Sequence, residues 1–209
     1  STPSNSSAAS DVYKRQGNIM AIVLASQSPR RQELLARIGV EDFKTLSLDI
    51  DESYPEGLSP EDTVRYIAKK KCDAAAALCA PDDLIITADT MVFLDNDRLG
   101  KPRDEEDALR MLRALSGRGH TVCTGVSVRR GAQEERFAVS TRVFFRPMTD
   151  DEIRAYIKTG EPMDKAGAYG VQSRGALFVE RIDGDFFNVM GLPVEQLGLV
   201  LARFGVKLL

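Results

Sequence analysis

The sequence predicts an α/β fold in which a mixed central sheet is flanked by helices. Three observations carry that expectation. Short apolar runs alternate with 3.6-residue apolar stripes through the first half of the chain. Further on, Phe137, Val139, Thr141, Val143 and Phe145 alternate with Arg136, Ser140 and Arg142, the pattern of a strand with one buried face. The composition, 43% hydrophobic and 28% charged, excludes a disordered or collagen-like chain, and 209 residues are the size of one domain.

Residues 1–19 stand apart. The first ten are Ser-, Asn- and Ala-rich without periodicity, and Asp11-Val12-Tyr13-Lys14-Arg15-Gln16 resembles one reading frame of a transposon-end adaptor. They are expected to be an assembly scar or a disordered tail, with a single domain over 20–209. Residues 21–25 form a continuous apolar run, as in a strand covered on both faces. Ser28-Pro29 supplies an N-cap and a first-turn proline for a helix that buries Leu34, Leu35 and Ile38 and stops at Gly39. A second helix opens at Ser59-Pro60-Glu61-Asp62 and runs to about Leu78. Residues 84–94 are a second apolar strand, followed by a turn at Asp95-Asn96-Asp97. Ala108, Met111, Leu112 and Leu115 mark a third helix, ending at Gly117. Residues 121–128 are a strand that turns at Arg130-Gly131 into the alternating one. Thr149-x-x-Glu152 is a capping box ahead of Ile153, Tyr156 and Ile157. Asp183-Gly184 predicts a hairpin between strands at 176–182 and 186–190, and 193–204 a closing helix.

Charge narrows the partners. Twenty-eight basic against 31 acidic residues give a net −3, so no global basic field draws the chain to nucleic acid or anionic lipid. No apolar run approaches the length of a membrane span. Three cysteines and one histidine cannot build a Cys/His zinc site or a disulfide framework, and a reducing cytoplasm is the expected compartment. Hydrolytic chemistry would fall to carboxylates, lysines or a bound metal.

Five places could carry chemistry. Ser26-Gln27-Ser28-Pro29-Arg30-Arg31 puts two hydroxyls and two guanidiniums at a helix start, which suits a phosphate and equally suits an ordinary cap with surface arginines. Lys71 falls in the apolar stripe of Val64, Ile67, Ala68 and Ala75, so it either snorkels to solvent or meets a buried anion; Lys69 and Lys70 point away into solvent. Asp89 interrupts the apolar strand and is the best single candidate for a catalytic or metal-ligating group, a structural cap being the other reading. Asp51-Glu52 could add a carboxylate. Gly100-Lys101-Pro102 and the glycine-rich 164–172, with Lys165 and Gln172, complete the set, although any tight polar loop has such a composition. Cations, hydroxyls and carboxylates together suit a polyphosphate with a divalent metal. His120 lacks a nearby nucleophile and reads as structural.

Leu24-Ala25-Ser26-x-Ser28-Pro29-Arg30-Arg31-x-Glu33-Leu34-Leu35, Ala88-Asp89-Thr90-x-Val92, Gly100-Lys101-Pro102 and Leu115-Ser116-Gly117-x-x-His120 occur in the order seen in the Maf family of nucleotide pyrophosphatases. So do Glu161-Pro162-x-Asp164-Lys165-Ala166-Gly167-Ala168-Tyr169-Gly170-x-Gln172 and Asn188-Val189-x-Gly191-Leu192-Pro193, and the chain resembles that family over about residues 22–195. The resemblance implies a fold like the inosine triphosphatase relatives, with two lobes around a deep cleft. It implies hydrolysis of a nucleoside triphosphate to monophosphate and pyrophosphate with Mg²⁺ or Mn²⁺, and it extends to a homodimer. Asp89 matches the family's catalytic residue and a metal neighbour, and Glu52 falls where the family has an acidic metal-site residue. Lys71, Lys101 and Lys165 match its phosphate-side lysines, with Ser26, Ser28 and Arg31 beside them. Arg30, Thr90 and Gln172 match positions tied to substrate choice, and Arg and Gln there resemble the branch acting on dTTP and UTP. The 7-methylguanosine triphosphate branch, with an aromatic residue and Glu at those two positions, and a nucleotide-binding regulator of septum formation without turnover are the alternatives.

Overall fold

The computed structural model describes residues 20–209, so the reading of residues 1–19 lies outside the described residues. The elements in order are β1 (Ile22–Leu24), α1 (Pro29–Arg37), β2 (Phe43–Thr45), α2 (Pro60–Ala76), β3 (Leu84–Leu94) and β4 (Asp97–Leu99). Then follow α3 (Glu105–Leu115), β5 (Gly119–Arg130), β6 (Gln133–Phe145), α4 (Asp150–Lys158), three 3₁₀ turns within 161–178, β7 (Val179–Asp183), α5 (Phe186–Met190) and α6 (Val194–Arg203). The sheet runs β2-β1-β3-β5-β6-β7, parallel on the β1 side and antiparallel from β3 onward, with β4 paired to β3. The mixed α/β fold is the one expected.

Caps set the helix starts. Ser28, Ser59, Asp104 and Thr149 each accept a backbone N–H of the first turn, and Thr149 and Glu152 close the capping box reciprocally. One element differs in kind. Phe186–Met190 is helix, not the second strand of a hairpin, because Asp185 caps it by accepting Asn188 N–H at 3.1 Å. Five residues are too few for period two to be told from a helical turn. Two short strands, β2 and β4, give no sequence signal: each has three residues and is paired at an edge.

Strand β3 organises the core. Its odd-numbered residues face α2: Ile85 packs with Cys72 and Ala75, and Met91 and Phe93 with Val64 and Ile67. Its even-numbered residues face the other way and divide between two clusters. Leu84, Ile86 and Ala88 pack with α1 and α6, whereas Val92 and Leu94 pack with α3 and α4. Strand β5 divides likewise, with Val126 and Val128 in the first cluster and Val122 in the second. These are two lobes, and Asp89-Thr90 falls at the seam.

The sheet also has a gap there. Along one edge β3 pairs with β5 from Ile85↔Arg129 to Phe93↔Thr121. Along the other it pairs with β1 as far as Ile86 and with β4 only from Val92, so among the described residues no strand covers 87–91. Their backbone polar groups need other partners.

Candidate active site

Two groups of side chains meet at this seam, one on each face of β3. On the α2 face Asp89 is 7% exposed. Lys71, on the same stripe of α2 as Val64, Ile67 and Ala68, donates to Asp89 Oδ1 at 3.2 Å and to Ala88 O at 3.1 Å, the latter in the gap. Its ammonium also lies 3.4 Å from Glu52 Oε1. The lysine therefore meets a buried anion instead of snorkelling. Lys69 pairs at the surface with Asp73, while Lys70 is not simply solvated: it donates to Ser53 O at 3.0 Å and ties down the loop that carries Glu52.

Asp89 Oδ2 is buried with no partner. Burial raises the carboxyl above the ordinary aspartate range; the Lys71 and Arg31 charges oppose that rise and Glu52 adds to it. An aspartate so placed is a stronger base than an exposed one.

On the opposite face a cavity of about 240 Å³ lies between the two clusters. Ser28, Arg30, Arg31, Thr90, Lys101, Lys165 and Gln172 line it, so seven of the residues singled out in the sequence converge there. Ser26, Glu52, Lys71 and Asp89 do not line it; successive strand residues point to opposite faces, which separates Asp89 from Thr90. Four cations face the cavity against one carboxylate, Asp164, and that one is engaged by Lys165 at 2.9 Å.

Several groups at the cavity are held in place. Ser26 Oγ accepts Ser28 N–H at 3.1 Å and Ser28 Oγ accepts Arg31 N–H at 3.4 Å, leaving both hydroxyl protons to donate. Arg31 donates through Nε to Gly191 O at 2.8 Å and through Nη2 to Thr90 Oγ1 at 3.0 Å. Its partners are neutral, so burial disfavours its charge, with the Asp89 field as partial compensation. Thr90 meets Thr124 across the ladder, Oγ1 to Oγ1 at 2.8 Å, and Thr124 donates to Asn188 O at 3.3 Å. Gln172 spends only an Nε2 contact of 3.5 Å on Met190 Sδ. Gly100 O accepts Gly167 N–H at 3.1 Å, joining the Lys101 loop to the Lys165 loop.

The sequence reading gives no role to Thr124, Gly125 or Tyr156. Gly125 has a signal, a glycine inside an apolar strand. It pairs with Asp89, and a Cβ there would lie 2.3 Å from Val64 C and O, so α2 crosses the sheet in contact with the bare backbone. His120 is fully buried against Tyr169, Nε2 to Oη at 2.7 Å, and burial drops its pKa to about 3, so it stays a neutral structural group as expected.

The Maf-like protein family matches residues 21–204, nearly all of the described chain. The chain belongs to that family. The dTTP/UTP pyrophosphatase of Bacillus velezensis is 47% identical over 186 residues, 89% of this chain and 97% of that one. The dTTP/UTP pyrophosphatase of Pelotomaculum thermopropionicum is 46% identical over 190 residues, 90% and 98% of the two chains. Among solved structures, a HAM1 protein from Coxiella burnetii covers 88% of this Maf-like chain and 100% of its own at TM-score 0.51 and 15% identity, a likeness of fold alone. No helix among the described residues is long and apolar enough to cross a membrane.

Proposed function

We propose that this chain hydrolyses dTTP and UTP to the monophosphate and pyrophosphate, a house-cleaning activity that extends to modified pyrimidine nucleotides. The observation that carries the reading is a cation-lined cavity beside a buried carboxylate with one unpartnered oxygen. The relatives that match it nearly end to end carry the name dTTP/UTP pyrophosphatase.

Cleaving a phosphoanhydride requires neutralised phosphate charge and a water held in line. Arg31, Lys101 and Lys165 take phosphate oxygens, assisted by the hydroxyls of Ser26 and Ser28. The gap at residues 87–91 lets the phosphate chain reach from the Thr90 face to the Asp89 face. Lys71 holds Asp89 by Oδ1, and Oδ2 takes a proton from the attacking water. Gln172 presents donor and acceptor to a pyrimidine edge, with Arg30 and Thr90 beside it.

Among the described residues no three Asp, Glu, His or Cys side chains form a cage for a metal. Asp89 and Glu52 both approach the Lys71 ammonium, at 3.2 and 3.4 Å, so the two carboxylates converge and would hold Mg²⁺ or Mn²⁺ as such ions are held beside nucleotides, by one or two carboxylates and the phosphates themselves. When bound, the ion supplies further neutralisation of phosphate charge. On this reading residues 20–209 act as one domain, in the cytoplasm, as a homodimer, with a nucleoside triphosphate as partner and neither nucleic acid nor membrane.

The deciding experiment is pyrophosphate release from a panel of dTTP, UTP and 7-methylguanosine triphosphate with Mg²⁺ or Mn²⁺. Preference for dTTP and UTP supports the assignment. Binding without turnover would favour the regulator, and a reversed preference the other branch.

A further inference from the structure

One carboxylate outside the cavity organises a whole wall of it. Lys165, Tyr169, Gly170 and Gln172 all line the cavity from one segment, and Glu161 precedes that segment without lining it. Glu161 Oε1 accepts Arg174 N–H at 3.2 Å and Oε2 accepts Gly175 N–H at 3.0 Å. Oε2 also accepts the hydroxyl of Tyr156, on α4. The Tyr156 oxygen in turn accepts Gly170 N–H at 3.1 Å, and the Glu161 carbonyl accepts Lys165 Nζ at 3.1 Å. The carboxylate pins the C-terminal end of the segment, the middle hangs from that carboxylate through one phenol, and the Glu161 backbone carbonyl, a separate group, holds Lys165.

The directions of these bonds are fixed. A backbone N–H can only donate, so the phenol oxygen accepts from Gly170 and the phenol proton goes to a carboxylate that only accepts. Burial works against the Glu161 charge, and the hydrogen bonds from Ser173, Tyr156, Gly175 and Arg174 outweigh it, keeping its pKa below the ordinary range. Packing argues the same point independently. A Cβ on Gly175 would lie 2.3 Å from Gly170 O, and one on Gly170 would lie 2.8 Å from Lys165 Cε, so the segment folds onto itself without slack.

We infer that Glu161 is a positioning residue for nucleotide binding: through Tyr156 and the backbone of 170–175 its carboxylate fixes Gln172 in the cavity wall without touching substrate. This rests on the nucleotide reading of the cavity. The test is steady-state kinetics with UTP on Glu161→Gln, Tyr156→Phe and the double variant, with amide hydrogen exchange measured on the same proteins. KM should rise about 5- to 50-fold in each single variant while kcat stays within about threefold, since the chemistry at Asp89 is untouched. The double variant should lose less than the product of the two single effects, because the Tyr156–Glu161 bond is common to both. Exchange at Gly170, Arg174 and Gly175 should rise about tenfold or more while β3 and β5 keep wild-type rates.

A residue that merely stabilises the fold would lower Tm and leave KM unchanged at temperatures far below it; unchanged KM in both single variants overturns the inference. If Glu161→Gln does not fold, Tyr156→Phe decides by the same criteria. If the wild-type protein releases no pyrophosphate from UTP, the substrate reading fails. The exchange rates then decide the role of Glu161, unchanged rates overturning it.

Discussion

A carboxylate buried in an apolar strand costs stability unless its charge is matched, and Asp89 is only partly matched: Lys71 takes Oδ1 and Oδ2 has no partner. On the proposed function, that unmatched oxygen is the base. Asp89→Asn keeps the shape and removes the base, so kcat should fall by about 10²–10⁴-fold with nucleotide binding largely retained. Because burial raises its pKa in the folded state, Asp89 favours folding below the ordinary value of 3.8 and loses that contribution as pH rises through the raised one. Thermal scans across pH should therefore find Asp89→Asn at least as stable as wild type at pH 7, with the advantage shrinking toward acid. Wild-type kcat should climb with pH through the raised value and then level. Lys71→Met is accommodated by the apolar stripe but releases Asp89 and Glu52, and should cost about 10- to 100-fold in kcat/KM. Lys70→Met loosens the loop that carries Glu52 but leaves the Lys71–Asp89 ion pair intact and should cost less, so equal activities for the two variants would count against the site.

Helix α2 places Lys71 because it lies against β5 at Gly125. Alanine there would put a Cβ 2.3 Å from the Val64 backbone, which cannot yield as a flexible side chain can. Gly125→Ala should destabilise the protein by about 1–3 kcal/mol as the helix is pushed out, and should lower turnover through Lys71. Gly198, inside α6, has open space where a Cβ would stand, with nothing within 4 Å, so Gly198→Ala should stabilise by about 0.5–1 kcal/mol with activity unchanged. Chemical denaturation of the two variants, alongside their kinetics, checks both. Much at this scale is legible in the sequence. The capping box at Thr149, the stripe of α3 and the alternation of β6 are local patterns, and each element forms where its pattern stands. Helix α5 is the exception, because Asp183-Gly184 carries a hairpin signal while the N-cap at Asp185 sets the conformation of residues 186–190.

At the scale of the whole molecule, a net charge of −3 coexists with a cavity faced by Arg30, Arg31, Lys101 and Lys165. The attraction for a polyphosphate is therefore local and open to screening. Raising salt from about 10 to 150 mM should lower kcat/KM for UTP about 3- to 10-fold, chiefly through KM. A rate indifferent to salt would mean that the cavity cations do not meet the phosphates.

The α/β class, most elements and the candidate residues can be read from the chain without its fold, because caps, periodicities and a charge in an apolar run are properties of neighbours in sequence. Asp89 stands out there as anomalous and Lys71 as misplaced on an apolar stripe, but a stripe has no record of what it packs against. It took the folded molecule to show that these two form one ion pair, that Asp89 and Thr90 face opposite sides of the sheet, and that the edge of β3 is open between them. The same holds for Glu161 with Arg174 and Gly175 and for Thr90 with Thr124, contacts between residues far apart in sequence. The physical reason is common to all of them: the alternation of a strand fixes which side chains share a face, whereas the partner across the face, and where the partner strand stops, are set by the packing of the whole chain.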